Sequence, residues 1–335
     1  MAEVLKIEDV RKYFSITKGF QNLFQRNRRM LHAVDGVSFS IESGETFGLA
    51  GESGCGKTTL ARLICLLEYP TSGKILFSGE DTSNIDKKHL RGFYKQLQMV
   101  FQDPLSSLNP RKTIEQILSK PLSVQEGFGR SELRDKIMDL LDDVDLKPPE
   151  DYISRYPHEL SGGEKQRVVI ARAVALRPKL VIADEPVASL DMSIRGKVLN
   201  LLRELQSRYG MSYLLITHDL RVLRVMSKRI AIMYLGKIAE VAKAEELFAH
   251  PCHPYTKGMI SAELIPDPSS PKRKKGFILK GEVPSPIDPP PGCRFHTRCH
   301  YKESRCTVDE PRLIEIGNQH LVSCHFWKTI ADQPI

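Results

Sequence analysis

The stretch Gly51-Glu52-Ser53-Gly54-Cys55-Gly56-Lys57-Thr58 decides how this chain is read. It fits G-x-x-x-x-G-K-[ST], the loop that wraps the phosphates of a nucleotide. The context agrees. Glu45 to Ala50 is short, mostly apolar and strand-like, and Thr59 to Leu67 is apolar at helical spacing. The chemistry needs that order of strand, tight turn and helix start. Gly51, Gly54 and Gly56 free the backbone to turn its N–H groups toward phosphate oxygens, aided by the positive end of the helix. Lys57 is placed to reach the terminal phosphates and Thr58 to ligate Mg²⁺, with Thr59 beside it.

Working outward, the 335 residues suggest two domains at roughly 150 residues each. A hydrophobic content of 41% and a charged content of 27% describe an ordinary globular chain. No apolar run reaches the ~18 residues of a membrane span. The opening Met-Ala-Glu-Val-Leu-Lys lacks a signal peptide's apolar core, which predicts a cytoplasmic chain docked on a membrane partner. The net charge of +8 raises the question of nucleic acid. Its densest clusters, Arg26-Asn-Arg-Arg29 and Lys272-Arg-Lys-Lys275, sit in loop-like sequence. One Trp and no aromatic ribonucleoprotein motif predict no nucleic-acid partner.

Strands are expected at Leu5–Val10, Ala33–Ile41, Gly73–Gly79, Leu97–Phe101, Leu180–Ala183, Tyr213–Thr217, Arg229–Met233 and Lys237–Val241. Phe14 to Leu31 reads as a long loop. Helices are expected between Thr113 and Val144, from Gly163 to Leu176 and from Ile194 to Tyr209, so a helical insert separates the phosphate loop from the acidic strand. Composition shifts after about Phe248. Val283-Pro-Ser-Pro-Ile-Asp-Pro-Pro-Pro-Gly292 suits an extended connector, and a second, small module is expected at about 246–335.

Lys179-Leu-Val-Ile-Ala-Asp184-Glu185 is an apolar strand ending in two carboxylates. Asp184 suits the Mg²⁺ shell, and Glu185 suits a base that orients the attacking water. Leu160-Ser161-Gly162-Gly163-Glu164-Lys-Gln-Arg167 combines capping-box spacing with two glycines that leave a helix start open to an anion. At this motif the chain resembles the ABC ATPases, whose signature it carries in nearly consensus form. The resemblance covers about residues 1–245. It implies an α/β fold: a P-loop NTPase (RecA-like) core, an antiparallel β subdomain, an inserted α-helical subdomain at about 103–175, and here a small cysteine-rich C-terminal module.

The same resemblance implies roles. Gln102, in Val-Phe-Gln-Asp-Pro, looks like the glutamine that senses Mg²⁺ and water. Ser189-Leu190-Asp191 looks like the D-loop, and His218 like the switch histidine on the γ-phosphate. Tyr13 or Phe14, with Phe14 favoured, would stack on adenine. Two such domains would pair head to tail, each ATP lying between one phosphate loop and the partner's Ser161–Gly163.

Seven cysteines in a cytoplasmic chain do not suggest a disulfide framework. Cys293, Cys299, Cys306 and Cys324 are separated by five, six and seventeen residues. That is not the spacing of paired C-x-x-C zinc ligands. Four thiolates suit a [4Fe–4S] cluster, though the spacing differs from the common ferredoxin runs. Zn²⁺ is the alternative, with His296, His300 or His325 as substitute ligands. The run from Gly292 to Cys299, with His253-Pro-Tyr-Thr256, resembles the extension of oligopeptide and dipeptide permease ATPases, which favours the cluster. Cys55, Cys65 and Cys252 look incidental.

The expected function is the ATP-hydrolysing motor of a peptide importer, peripheral on the cytoplasmic face of the membrane. Its implied partners are two membrane subunits, a second ATPase (a paralogue or an identical copy) and an extracytoplasmic binding protein. The same motor for oligosaccharide or nickel import is the alternative. A soluble ABC ATPase of DNA repair or translation fits less well, since there are neither sustained heptads nor two ATPase units. A redox-responsive binding module is opposed by the complete catalytic motifs.

Overall fold

A computed structural model of the chain describes residues 2–16, 29–86, 88–103, 107–123, 128–263, 279 and 281–332. Residues 26–28 of the first basic cluster and all of the second lie outside these. The described strands are, in chain order, β1 Glu3–Ser15, β2 Met30–Glu42, β3 Thr46–Ala50, β4 Ser72–Phe77, β5 Glu80–Asp81, β6 Leu97–Val100, β7 Leu180–Asp184, β8 Ser212–Ile216, β9 Arg229–Tyr234, β10 Lys237–Lys243, β11 Ile314–Gly317 and β12 His320–Val322. Contacts group the chain into two units, one of residues 1–4, 42–45 and 84–215, the other of residues 5–41, 46–83 and 216–335.

The first unit orders its strands β8-β7-β6, with β6 parallel to β7 from Leu97 opposite Leu180 to Val100 opposite Ala183. All five residues of β7 are buried, as suits a parallel strand covered on both faces. Its helices include Ile114–Leu122, Arg130–Asp143, Gly162–Val174 and Met192–Tyr209. Two of them start from sequence-encoded capping boxes. Thr113 Oγ1 accepts the Gln116 N–H at 3.3 Å, and Gln116 Oε1 accepts the Thr113 N–H at 3.1 Å. Such a cap contributes about 1 kcal/mol. The expected helical insert is therefore present.

The second unit holds an antiparallel sheet, β2-β1-β4-β5, and the strands β11-β12-β10-β9-β3, with β3 parallel to β9. β1 runs on to Ser15 and β2 starts at Met30, so the loop expected from Phe14 to Leu31 is shorter than its composition suggested. Cross-strand pairing overrides the polar sequence there. Strands stand where the last two of the nucleotide-binding unit were expected, β9 and β10, and the tail adds a hairpin, β11–β12, whose β12 pairs antiparallel with β10, Glu240 opposite Val322. Asn318 and Gln319 turn it with φ of 51° and 61°, the left-handed pair that a two-residue hairpin requires. The proline connector is held too, as the His32 N–H donates to the Pro286 carbonyl at 2.9 Å. Among the described residues no helix is long and apolar enough to cross a membrane.

Candidate functional site

The second unit carries the phosphate loop. The buried strand β3 delivers the chain to Gly51, and the helix Lys57–Ile64 begins at Gly56, whose φ is 110° and which offers no side-chain cap. The first-turn N–H groups are thus left for an anion. Only glycine fits at two points. A Cβ on Gly56 would stand 2.0 Å from the Ala33 carbonyl oxygen, and one on Gly51 would stand 2.2 Å from that of Met233. Lys57 folds back over the loop, donating to the carbonyls of Gly51 and Glu52 at 2.7 and 3.0 Å. Ser53, Gly54 and Thr58 are exposed, Glu52 and Thr59 half-buried, and Cys55 buried. Burial raises the Cys55 thiol's pKa.

Glu52 is held by residues far along the chain. Its N–H donates to the Tyr255 hydroxyl at 2.9 Å, and its carboxylate takes both Arg298 Nη groups at 2.7 and 3.1 Å. Tyr13 donates its hydroxyl to Asp35 Oδ1 at 2.5 Å and packs on His32 at 4.3 Å between ring centroids. Phe14 lies beneath the Lys12 ammonium at 4.8 Å. Burial alone would raise the pKa of Asp35, but the Tyr13 hydrogen bond with Lys237, Arg294 and Arg11 holds it below the usual range. His218 is exposed, directly after the buried Thr217. Asp219, next in line, caps the helix Leu220–Met226.

The first unit carries the remaining nucleotide residues. Asp184 ends β7 and is 2% exposed. Glu185 follows with φ 51°, a left-handed conformation that a non-glycine residue holds only under constraint and that is frequent at functional sites. Gln102 is exposed and outside helix and strand. Ser161 caps the helix Gly162–Val174, its Oγ accepting the Glu164 N–H at 3.3 Å while Glu164 Oε2 accepts the Ser161 N–H at 2.7 Å. Ser161 and Gly162 are exposed. Gly163 is buried, and a Cβ there would stand 2.8 Å from Ile194 Cγ2.

Two positioning residues had escaped the sequence reading. Tyr152 donates to Glu164 Oε1 at 3.0 Å. Arg195 donates through Nε to the Leu190 carbonyl at 2.8 Å and through Nη2 to that of Ala188 at 3.3 Å, bracing the turn that ends at Asp191. A basic residue one turn into the helix Met192–Tyr209 was the available signal.

The four tail cysteines also lie in the second unit. The Cys293 N–H donates to the Cys306 carbonyl at 2.9 Å. Burial pushes Cys293 and Cys299 up to about 11 and Cys324 up to about 12, and the neighbouring thiols add to each shift. These three thiols, with Cys306 beside them, are a donor set that a metal centre would discharge. Zinc at about 2.3 Å from four sulfurs would place them about 3.8 Å apart. Among the described residues the one trio of donors within 4.8 Å of one another is Glu240, Cys252 and His320. No three tail thiols converge that closely. His296 Nδ1 and His325 Nε2 sit 2.8 and 3.0 Å from the carbonyls of Cys293 and Asp309.

The Glu240 trio is occupied with itself. Glu240 accepts the N–H groups of Cys252 and His253 at 2.6 and 3.0 Å and meets His320 Nε2 at 2.7 Å.

Residues 34–188 match the family model "ABC transporter", and residues 239–306 match "Oligopeptide/dipeptide transporter, C-terminal region". The chain is 46% identical over 325 residues to the oligopeptide transport ATP-binding protein AppF of Bacillus subtilis (strain 168), covering 97% of each. It is 42% identical to the dipeptide transport ATP-binding protein DppF of Escherichia coli (strain K12), covering 96% of this chain and 93% of that one. A solved ATP-binding cassette in a dimeric post-hydrolysis state, bound to ADP and Pi, superposes with a TM-score of 0.63 at 28% identity, covering 72% of this chain and 98% of that one.

Proposed function

The chain belongs to the ABC transporter ATP-binding proteins of the oligopeptide and dipeptide type, and from that premise we propose how its residues perform the work. It is an ATPase. ATP would rest on the loop Gly51–Thr59, with Lys57 and the helix start meeting its phosphates and an aromatic residue stacking on adenine. Phe14 is the better stacking candidate, since Tyr13 already spends its hydroxyl on Asp35. Thr58, Gln102 and Asp184 would hold Mg²⁺, which neutralises charge on the phosphates when bound. Glu185 would accept a proton from the attacking water, and His218 would contact the γ-phosphate. Most of the rate would come from positioning and electrostatic stabilisation.

One observation carries this reading. The same chain presents two helix starts fit for phosphate, Gly56 in the loop and the exposed Ser161–Gly162 in the signature. A second copy or a paralogue, paired head to tail, would supply the other half of each ATP site. We further read the chain as peripheral on the cytoplasmic face of the membrane, driving two membrane subunits fed by an extracytoplasmic binding protein. A cavity of about 650 Å³ in the first unit supports such docking. Arg91, Lys95, Lys112, Lys120 and Arg172 line it, with no acidic residue among its lining, so it suits an acidic loop of a membrane subunit. The cargo would be peptides, as the names of the relatives indicate.

The four tail cysteines would hold a [4Fe–4S] cluster, which ties together the segment from Cys293 to Cys324 when bound.

The deciding experiment is Glu185→Gln. The variant is expected to bind ATP and pair, with turnover lowered on the order of 100-fold or more. Turnover at the wild-type rate would remove Glu185 from the reaction.

A further inference from the structure

A carboxylate inside a phosphate-binding loop is an electrostatic problem, and this chain answers it with a residue from its C-terminal segment. Glu52 is the second residue of the loop, and the Lys57 ammonium rests 3.0 Å from its carbonyl. A polyanionic ligand on that loop would be repelled by an unpaired Glu52 side chain. Arg298 faces it fork to fork, with contacts of 2.7 and 3.1 Å. The guanidinium is nearly withdrawn from solvent, its side chain 6% exposed, and such bidentate charged pairs are among the stronger hydrogen-bonded contacts. Its position is fixed from several sides. The guanidinium lies over the Tyr234 ring at 5.9 Å. Tyr234, Tyr255 and Phe295 pack on one another at 4.7 to 5.5 Å between centroids. Tyr255 in turn accepts the Glu52 N–H.

We propose that Arg298 is a positioning residue for ATP binding: it neutralises and holds Glu52, so that the loop presents its N–H groups and Lys57 to the phosphates. The inference rests on reading residues 51–59 as the ATP site. Arg298 lies between Cys293 and Cys299, so the cysteine-bearing segment contributes directly to the phosphate loop of its own chain.

The test is equilibrium binding of Mg-ATP to the purified full-length chain. Arg298→Ala is expected to weaken binding about tenfold, or about 1.4 kcal/mol. Arg298→Gln, which keeps a polar side chain but removes the charge and the guanidinium fork, is expected to do the same, and covers the case in which the alanine variant fails to fold. Adding Glu52→Gln to Arg298→Gln is expected to restore most of the affinity, because the repelling charge is gone. Arg298→Lys should recover part of it. In the assembled transporter the defect should fall on KM for ATP, with kcat within about twofold. Wild-type affinity in Arg298→Gln would overturn the proposal. So would a double variant as weak as the single one, since that leaves Arg298 a packing role only. A wild-type chain that binds no ATP would overturn the ATP-site reading as well.

Discussion

At the residue scale, the nucleotide site depends on atoms that are absent as much as on those present. Gly56 is intolerant of a side chain because its φ is 110° and the Ala33 carbonyl stands where a Cβ would go. Gly56→Ala is therefore expected to lower ATP affinity by at least tenfold and to lower thermal stability. A Gly54→Ala control should be milder, since nothing stands within 4 Å of a Cβ there, although its φ of 79° still disfavours alanine. Titration with ATP and a melting curve check both. The glycines, Lys57, Asp184 and the Ser161–Glu164 box were all legible in the sequence, because each belongs to a short motif whose geometry is local. The Arg298–Glu52 pair was not, since its partners lie 246 positions apart. Arg195 was missed for another reason: a basic residue one turn into a helix was visible, but the backbone carbonyls it braces carry no residue-type signal of their own.

At the element scale, most strands and helices followed from periodicity and capping residues. The hairpin β11–β12 was overlooked although Gly317-Asn318 is a turn signal between alternating residues. Its stability should depend on pH. Burial alone would lower the pKa of His320, but hydrogen bonds to Cys252 and Glu240 and the carboxylate's charge raise it to about 9. A histidine held protonated by the fold binds its proton more tightly folded than unfolded. Its contribution is complete below the unfolded value of about 6.5 and is lost as pH rises toward 9. Denaturation between pH 6.5 and 9 is expected to show stability falling by at most about 1.4 kcal/mol per pH unit. His320→Gln should flatten that slope. An unchanged slope in the variant would assign the dependence to other groups.

At the scale of the whole molecule, the tail is bonded to other parts of the second unit. It lends β12 to β10, Arg294 to Asp35 and Arg298 to Glu52. Anaerobic purification is expected to give brown protein with about four irons per chain. Chelation or Cys324→Ser should bleach it and lower its melting temperature. A colourless preparation with one zinc ion would replace the cluster with a mononuclear clip. The clasp between Arg298 and Glu52 also sets a schedule. A ribosome that has just made the phosphate loop needs roughly 12 to 50 seconds more, at 5–20 residues per second, to make the 246 positions up to Arg298. Throughout that interval the nascent loop carries an unanswered negative charge. An unfinished chain should therefore be a poor consumer of ATP, and competence would arrive only with the end of translation.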